Sequence, residues 1–587
     1  MNMNRMKNNV LILAFALACL PLIAQQNADE SEEISLPDVS TVISGGAPKV
    51  GKSAVPDYSQ VLPQSNKNEE ILPQLPDSGE VVSPNVDSVA ASGNPKKNVY
   101  ASGTAGAGYP GYIIGNFSLY RQSGKNPFRV TFSHETANGY SGHSFTSAYF
   151  DRKTNFYAEK AFSSEKMDLF FVGSYENKGN GFQDRIPGMT DVSKDKLNGG
   201  FDWTVRFNKE VSMNLNTKGS WYKRYSTTNR YLPEPVDFIK LVEFSDMTTA
   251  AKSAAYTKYN SINAFFPEVD GFLSNVAFLD LEPELKFRFE SAKKFYTEFS
   301  ASYDMEHDIK NSFDGTRTVH RGDFGVALGW SNRFVNLYGT SAAIIGNKIG
   351  SNAVVVPFTV GADFSIKTPL SERQLALSLK GGIDSYLPKV EMLERKFCFS
   401  ALSVLPSESS DWYGQLDFAL PVKDVFTFAL GGEFRTTAYD NGTWEPDYEK
   451  KYMVAGQYLY DENVLTQINS DVALRFHIKA LNFSAGWKHF WIDVPELESR
   501  SCLSFRVSLH DKNARVGFEG LCHQYVGSSD DKCPDVKLSL FCRLTNAVML
   551  AVSADDVVKL ISGSERVYAG DYIDRSGTAS VQVRFFF

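Results

Sequence analysis

Six ionisable side chains recur between apolar or small neighbours: Lys218, Glu298, Asp304, Lys537, Arg543 and Arg584. They mix both signs and are interleaved with hydroxyls and asparagines. A ring of one sign would select ions of the other; a mixed set suits a hydrated wall or a surface packed against a plug. A second group has the types needed for proton transfer. His134, His143, His320 and His489 fall near expected loops, with Glu135 and Asp323 close in sequence. That combination would suit a hydrolytic site at the mouth of a barrel. A barrel of this size carries such neighbours in any case, and neither a G-x-S-x-G elbow nor an H-E-x-x-H pair occurs. The eight histidines lack metal-ligand spacing and the six cysteines form no C-x-x-C pair. The reading is a non-enzyme with no cofactor. The net charge of -8 argues against nucleic acid as a partner.

The elements that carry these residues have a period of two. Val211, Met213, Leu215, Thr217, Gly219 and Trp221 alternate with polar residues, as do Phe295, Thr297, Phe299, Ala301 and Tyr303. In Val536–Leu544 the alternates are Lys537, Ser539, Phe541 and Arg543. Runs of about ten residues are long for soluble strands but match a tilted membrane-spanning strand. One face would meet lipid and the other a watery lumen. About 22 such runs are found, within a range of about 18 to 24. The 27 tyrosines and 43 phenylalanines are enough to furnish aromatic girdles at both membrane interfaces.

The connections alternate in length. Short ones include 163–165, 208–210, 291–293, 331–332, 511–513 and 545–546; long ones include roughly 177–195, 225–279, 306–319, 386–410, 439–465, 491–500 and 555–577. Outer-membrane barrels have short periplasmic turns and long outer loops. An even strand count puts both termini of the barrel in the periplasm. The last run places Ala579, Val581, Val583, Phe585 and Phe587 on one face. Val581, Val583, Phe585 and Phe587 form a candidate assembly signal for the barrel-assembly machinery.

The fold expected is all-β, a transmembrane antiparallel β-barrel of about 22 strands over residues 98–587, behind a disordered N-terminal periplasmic tail. Residues 1–24 resemble a signal peptide: Arg5 and Lys7 precede an apolar run from Val10 to Ala24, too short for a spanning helix. Cleavage after Ala24 is favoured, although Cys19 lies in a loose lipobox. Residues 25–97 are rich in Pro, Ser and acids and too poor in apolar surface to order themselves. Leu36–Val42 is echoed by Val55–Val61, and more weakly by Leu75–Val81. Pro37, Asp38 and Val42, with Pro56, Asp57 and Val61, make a candidate docking motif for strand addition to a partner; a drifting Pro-rich linker is the alternative. Cys522 and Cys533 bracket a short loop, either as a staple or as two free thiols.

Three stretches resemble the barrels of TonB-dependent receptors. They are Gly103–Gly111 with Gly115-Asn116-Phe117-Ser118-Leu119; Phe128–His134; and Thr545–Val552 with Asp571–Gly577 and the final strand. The resemblance implies an outer-membrane barrel, uptake of a nutrient and a TonB-like periplasmic partner. It stops short at the plug, because only 25–97 precedes the barrel in the mature chain. Candidates to fill the lumen are the loop 225–279, the tail, or a separate subunit. Residues 38–44 faintly resemble an energy-coupling box. The aromatic stretch Tyr256–Phe272, with Phe265-Phe266-Pro267, is a candidate extracellular ligand site or a loop packed on itself. Functionally the expectation is a transporter or gated pore in the outer-membrane lipid. The alternatives are a surface adhesin or structural barrel, or the outer-membrane subunit of a complex docked through the tail.

Overall fold

A computed structural model describes residues 99–587, apart from the segment 229–274 and shorter stretches within other connections. The expected signal peptide, the tail motifs and the whole of Tyr256–Phe272 lie outside the described residues.

Twenty-two antiparallel strands form one closed sheet. In chain order they are β1 Tyr100–Tyr109, β2 Tyr112–Arg121, β3 Phe128–Asn138, β4 Phe150–Ser163, β5 Met167–Gly181, β6 Met189–Arg206, β7 Val211–Thr228, β8 Asn275–Glu290, β9 Phe295–Asp308, β10 Thr318–Ser331 and β11 Val335–Gly346. They continue as β12 Phe358–Lys367, β13 Gln374–Tyr386, β14 Ser409–Val422, β15 Phe426–Thr437, β16 Thr466–Ile478, β17 Leu481–Phe490, β18 Ser501–His510, β19 Val516–Val526, β20 Asp535–Thr545, β21 Val548–Asp555 and β22 Thr578–Phe586. Each pairs with the next. The sheet closes where β1 pairs with β22, from Ser102 opposite Phe586 to Tyr109 opposite Ala579.

The period of two sorts the side chains. On β10, Phe324, Val326, Leu328 and Trp330 are exposed on the outside, while Asp323, Gly325, Ala327 and Gly329 face inward. Outward rings touch across strands near the short turns: Phe426 lies 4.9 Å from Phe476, which lies 6.1 Å from Phe483, and Phe289 lies 6.4 Å from Phe299. This is an aromatic girdle at one membrane interface. The short turns there are closed by Asx caps. Asn208 Oδ1 accepts from Glu210 and Val211, and Asn332 Oδ1 accepts from Phe334 and Val335.

The opposite end is built differently. β6 and β7 are each 18 residues long and pair along their length apart from a bulge at Thr190. A spanning strand needs only ~9–11 residues, so their outer parts stand clear of the hydrocarbon. The expected loop 177–195 is correspondingly shorter, since β5 and β6 run into it. Two short helices sit in outer connections, α1 Val390–Lys396 and α2 Val557–Ser562. Small strands at Thr443–Pro446, Gln457–Asn463 and Tyr572–Ile573 also belong to this end. Among the described residues no disulfide joins Cys398, Cys502, Cys522, Cys533 or Cys542. The staple considered between Cys522 and Cys533 is therefore absent: Cys522 points outward on β19, between Phe505 and Val536.

Candidate functional site

The outer end of the lumen is filled by the chain's own connections. The principal one is 387–408, between β13 and β14. Its apolar residues Leu387, Val390, Leu393, Leu402 and Leu405 pack with Tyr222, Val276, Phe278 and Val319 of the wall and with Trp444 and Tyr460. Leu387, Val390 and Leu393 are three apart, the spacing that lines up one face of a helix. Burying this face gives a short segment the stability that its length alone would not supply.

Charged residues of the wall grip the rest of the segment. Arg224 on β7 pairs with Glu394, and neither side chain is reached by solvent. Tyr222 donates to Glu394 Oε2 at 2.7 Å, and the Leu402 amide donates to Oε1 at 3.1 Å. Lys194 on β6 donates to the carbonyls of Glu394 and Cys398. Lys178 on β5 donates to the Cys398 sulfur at 3.0 Å. Lower on the wall, Lys196 meets Glu391 at 2.6 Å, and Arg395 bridges Glu391 and Glu176. Burial would raise the Glu391 carboxyl, but Lys196 and Arg395 outweigh it and hold it below the usual range.

On the β8–β10 side, Lys389 pairs with Asp304 at 2.9 Å and with Glu282. Burial opposes the Lys389 charge, yet the surrounding carboxylates prevail and raise its pKa. The Val390 amide donates to Glu306 Oε1 at 2.9 Å. At the far end of the segment Glu408 accepts from Arg321 at 3.1 Å and from Ser385 at 2.8 Å. Burial pushes the Glu408 carboxyl up, with Arg321 opposing. Six consecutive strands, β5 to β10, therefore each contribute a charged group to one loop.

Other connections lean on this plug. Phe399 stacks on Tyr572 at 3.7 Å, and the Tyr458 amide donates to the Phe399 carbonyl at 2.8 Å. Gln183 mimics a strand partner for Ile573. Its Nε2 donates to the Ile573 carbonyl at 2.7 Å and its Oε1 accepts from the Ile573 amide at 2.9 Å. Arg575 pairs with Glu135 at 2.8 Å.

The six charged residues singled out from the sequence all occupy inward register positions, but they do not converge. Asp304 belongs to the plug seat. Glu298 lies 3.5 Å from Arg288, and Lys537 lies 3.1 Å from Asp555. Arg543 lies over the Phe586 ring, and Arg584 donates to Gln582. Lys218 is exposed to the lumen. Val581, Phe585 and Phe587 are exposed on the lipid face, and Val583 shares that face. The histidines stay apart: His134 bonds Thr154, His143 pairs with Glu565, His320 bonds Tyr303, and His489 packs beside Trp487 and Trp491. Glu135 and Asp323 are taken up by Arg575 and Arg321.

Sequence reasoning sought the plug in the loop 225–279, the tail or a separate subunit. Among the described residues it is 387–408 that fills the outer lumen. Arg224, Lys194, Lys389, Glu306 and Glu394 were not singled out. The spacing Leu387–Val390–Leu393, with Glu391 and Arg395 four apart, was the available signal.

No family model and no curated protein matches this chain. Solved structures do. The FrpB iron transporter from Neisseria meningitidis superposes with a TM-score of 0.59 at 8% identity, covering 85% of this chain and 84% of that one. A mutant ferric enterobactin receptor, PfeA, from Pseudomonas aeruginosa gives 0.56 at 9% identity, over 84% and 80%. FpvA from P. aeruginosa, bound to a heterologous pyoverdine, gives 0.55 at 10%, over 83% and 72%. At these identities the likeness is one of fold, and the fold is the 22-strand outer-membrane barrel of the TonB-dependent receptors.

Proposed function

We propose that this protein is an outer-membrane transporter or gated pore for uptake of a nutrient, closed at its outer mouth by its own loop 387–408. The observation that carries the reading is a closed barrel with a polar, mixed-charge wall, part of which grips a folded-in loop through ion pairs. A barrel serving only as an adhesion scaffold would have no need of a charged wall matched to one loop. A barrel of this size conducts freely unless something occupies it, so the loop supplies the closure. The solved neighbours include an iron transporter and a ferric enterobactin receptor, so an iron-bearing chelate is the first solute to test.

The finer reading is that residues 1–24 export the chain and 25–97 form a periplasmic tail. The motifs at Pro37, Asp38 and Val42, and at Pro56, Asp57 and Val61, dock a TonB-like protein or an accessory subunit. Val581, Val583, Phe585 and Phe587 address the barrel to the assembly machinery.

Planar-bilayer conductance tests this. The full chain, a variant lacking 25–97 and a variant lacking 388–406 are compared. The loop deletion is expected to conduct strongly and the full chain rarely. A loop-deleted barrel that folds but stays silent overturns the pore reading in favour of an adhesin or structural barrel. A periplasmic protein that copurifies with the full chain and is lost with the tail supports the docking motifs.

A further inference from the structure

Beneath the plug, two acidic residues face each other on adjacent strands. Asp280 of β8 is directly opposite Glu306 of β9. Their exposures are 2% and 0%. Side chains at opposed positions of an antiparallel pair are about 4.5–5.5 Å apart at Cβ, so these two carboxyls share one small space. Each has one oxygen engaged. Asp280 Oδ2 accepts from Ser220 at 2.6 Å, and Glu306 Oε1 accepts from the Val390 amide of the plug at 2.9 Å. The other two oxygens, Asp280 Oδ1 and Glu306 Oε2, are buried without a donor.

The charges around the pair do not neutralise it. From the plug it faces Lys389 and Glu391; Glu391 is already held by Lys196 and Arg395. From the wall it faces Asp304, with Glu282 beyond, and both of these bind Lys389. Arg321 is turned to Glu408 and Asp323. On the flanking strands Lys218 stands opposite Glu282 and Arg321 opposite Asp304, whereas Asp280 and Glu306 have Ser220 and Val319 as their outer cross-strand neighbours. The pair is left with Lys389, which already binds Glu282 and Asp304. Two adjacent buried carboxylates cannot both ionise without a cation to match. Among the described residues, no group of acids, histidines and cysteines is arranged to hold a metal ion. A single proton supplies what is missing: a carboxyl–carboxylate hydrogen bond satisfies both orphan oxygens and removes one charge.

We propose that the Asp280–Glu306 pair is a proton-binding site that latches the plug, with one proton held while 387–408 is seated and lost when it leaves. The proposal rests on the reading of 387–408 as the closure. When the loop withdraws, Val390 no longer donates to Glu306, water enters, and both carboxyls ionise at ordinary values. The seated state therefore binds the extra proton, and seating weakens as pH rises, by up to ~tenfold in the equilibrium for each pH unit over which the difference persists.

Hydrogen exchange of the peptides covering 387–408, measured on the full-length protein and corrected for intrinsic rates, reads seating without requiring conduction. Protection is expected to fall in the natural chain as pH rises above the ordinary carboxyl range of ~4. Glu306→Gln and Asp280→Asn each place an amide donor against the remaining carboxylate, so both should keep the loop protected at high pH and flatten the dependence. Using two variants covers a folding failure in one. Glu519→Gln, on β19 where it pairs with Arg506 and away from the loop's partners, should retain the slope. A flat profile in the natural chain, or an unchanged slope in both pair variants, overturns the latch. So does protection that follows added sodium or calcium at fixed pH, which would put a cation in the proton's place. Failure of the pore reading shows separately, as a silent loop-deleted barrel in the bilayer.

Discussion

Arg224 and Glu394 meet as an ion pair sealed from solvent, although 170 residues separate them in the chain. Breaking a buried pair by removing one partner typically costs about 3–5 kcal/mol, because the other charge stays buried. Glu394→Ala is therefore expected to unseat the loop, seen as rapid proteolysis within 387–408 and a higher open probability. The double substitution Arg224→Met with Glu394→Leu should be much milder than either charge deletion alone. Equal damage in the double variant would mean that the pair does not act as a unit.

Asp574, in the connection before β22, gives the outer loops a second pH response. Burial pushes its carboxyl up to about 7, helped by Asp151 and Asp555 and opposed by Arg575. In a released loop the same group titrates near ~4. Between these values the docked loop holds a proton that the released loop lacks, so docking weakens as pH rises from about 4 towards 7. Hydrogen exchange across 563–577 should accelerate over that interval beyond its intrinsic rate, and Asp574→Asn should abolish the excess.

Gly577 sits just before β22 with φ at +71°, and an added Cβ would lie 2.8 Å from the Leu560 amide nitrogen of α2. A non-glycine residue in that conformation costs about 1–3 kcal/mol. Gly577→Ala should lower the melting temperature and loosen α2, detectable as faster exchange at Leu560, while leaving the barrel's β-sheet circular dichroism in place.

Val583 faces lipid on the closing strand, between Ala105 and Leu550. A cation on that face costs about 2–4 kcal/mol at the bilayer midplane. Val583→Arg is expected to reduce the heat-modifiable folded band in outer-membrane fractions. Gln582→Arg, on the lumen side of the same strand, should be better tolerated. Equal loss from both would show that the two faces are not distinguished during insertion.

Much of the barrel was legible because a wall between lipid and water writes itself as alternation. Phe299, Val326 and Leu538 each lie within a strand drawn from the sequence, and the short turns at Asn208 and Asn332 carry their own cap residues. The plug was not legible. It depends on a seven-residue helix with one apolar face and on partners such as Lys194 and Arg224, which in sequence look like any other polar alternates. Which inward residues meet the loop is set by strand register and by how far β6 and β7 extend beyond the membrane, and neither has a local signature. The same holds for Asp280 and Glu306, which become one site only when β8 and β9 pair.

The seam between β1 and β22 has a consequence for how the molecule comes into being. Thr104 lies directly opposite Arg584 in the register, so the first and last strands of the described barrel are neighbours. Until the last strand is made, the growing sheet has two unpaired edges, each open to another chain. Closure also fixes a very long loop in one step, a contact of the most non-local kind. A chain interrupted before Thr578, the start of β22, would be left with an open edge. Closure is thus conditional on the last strand, and chains that have not yet placed it must be kept apart.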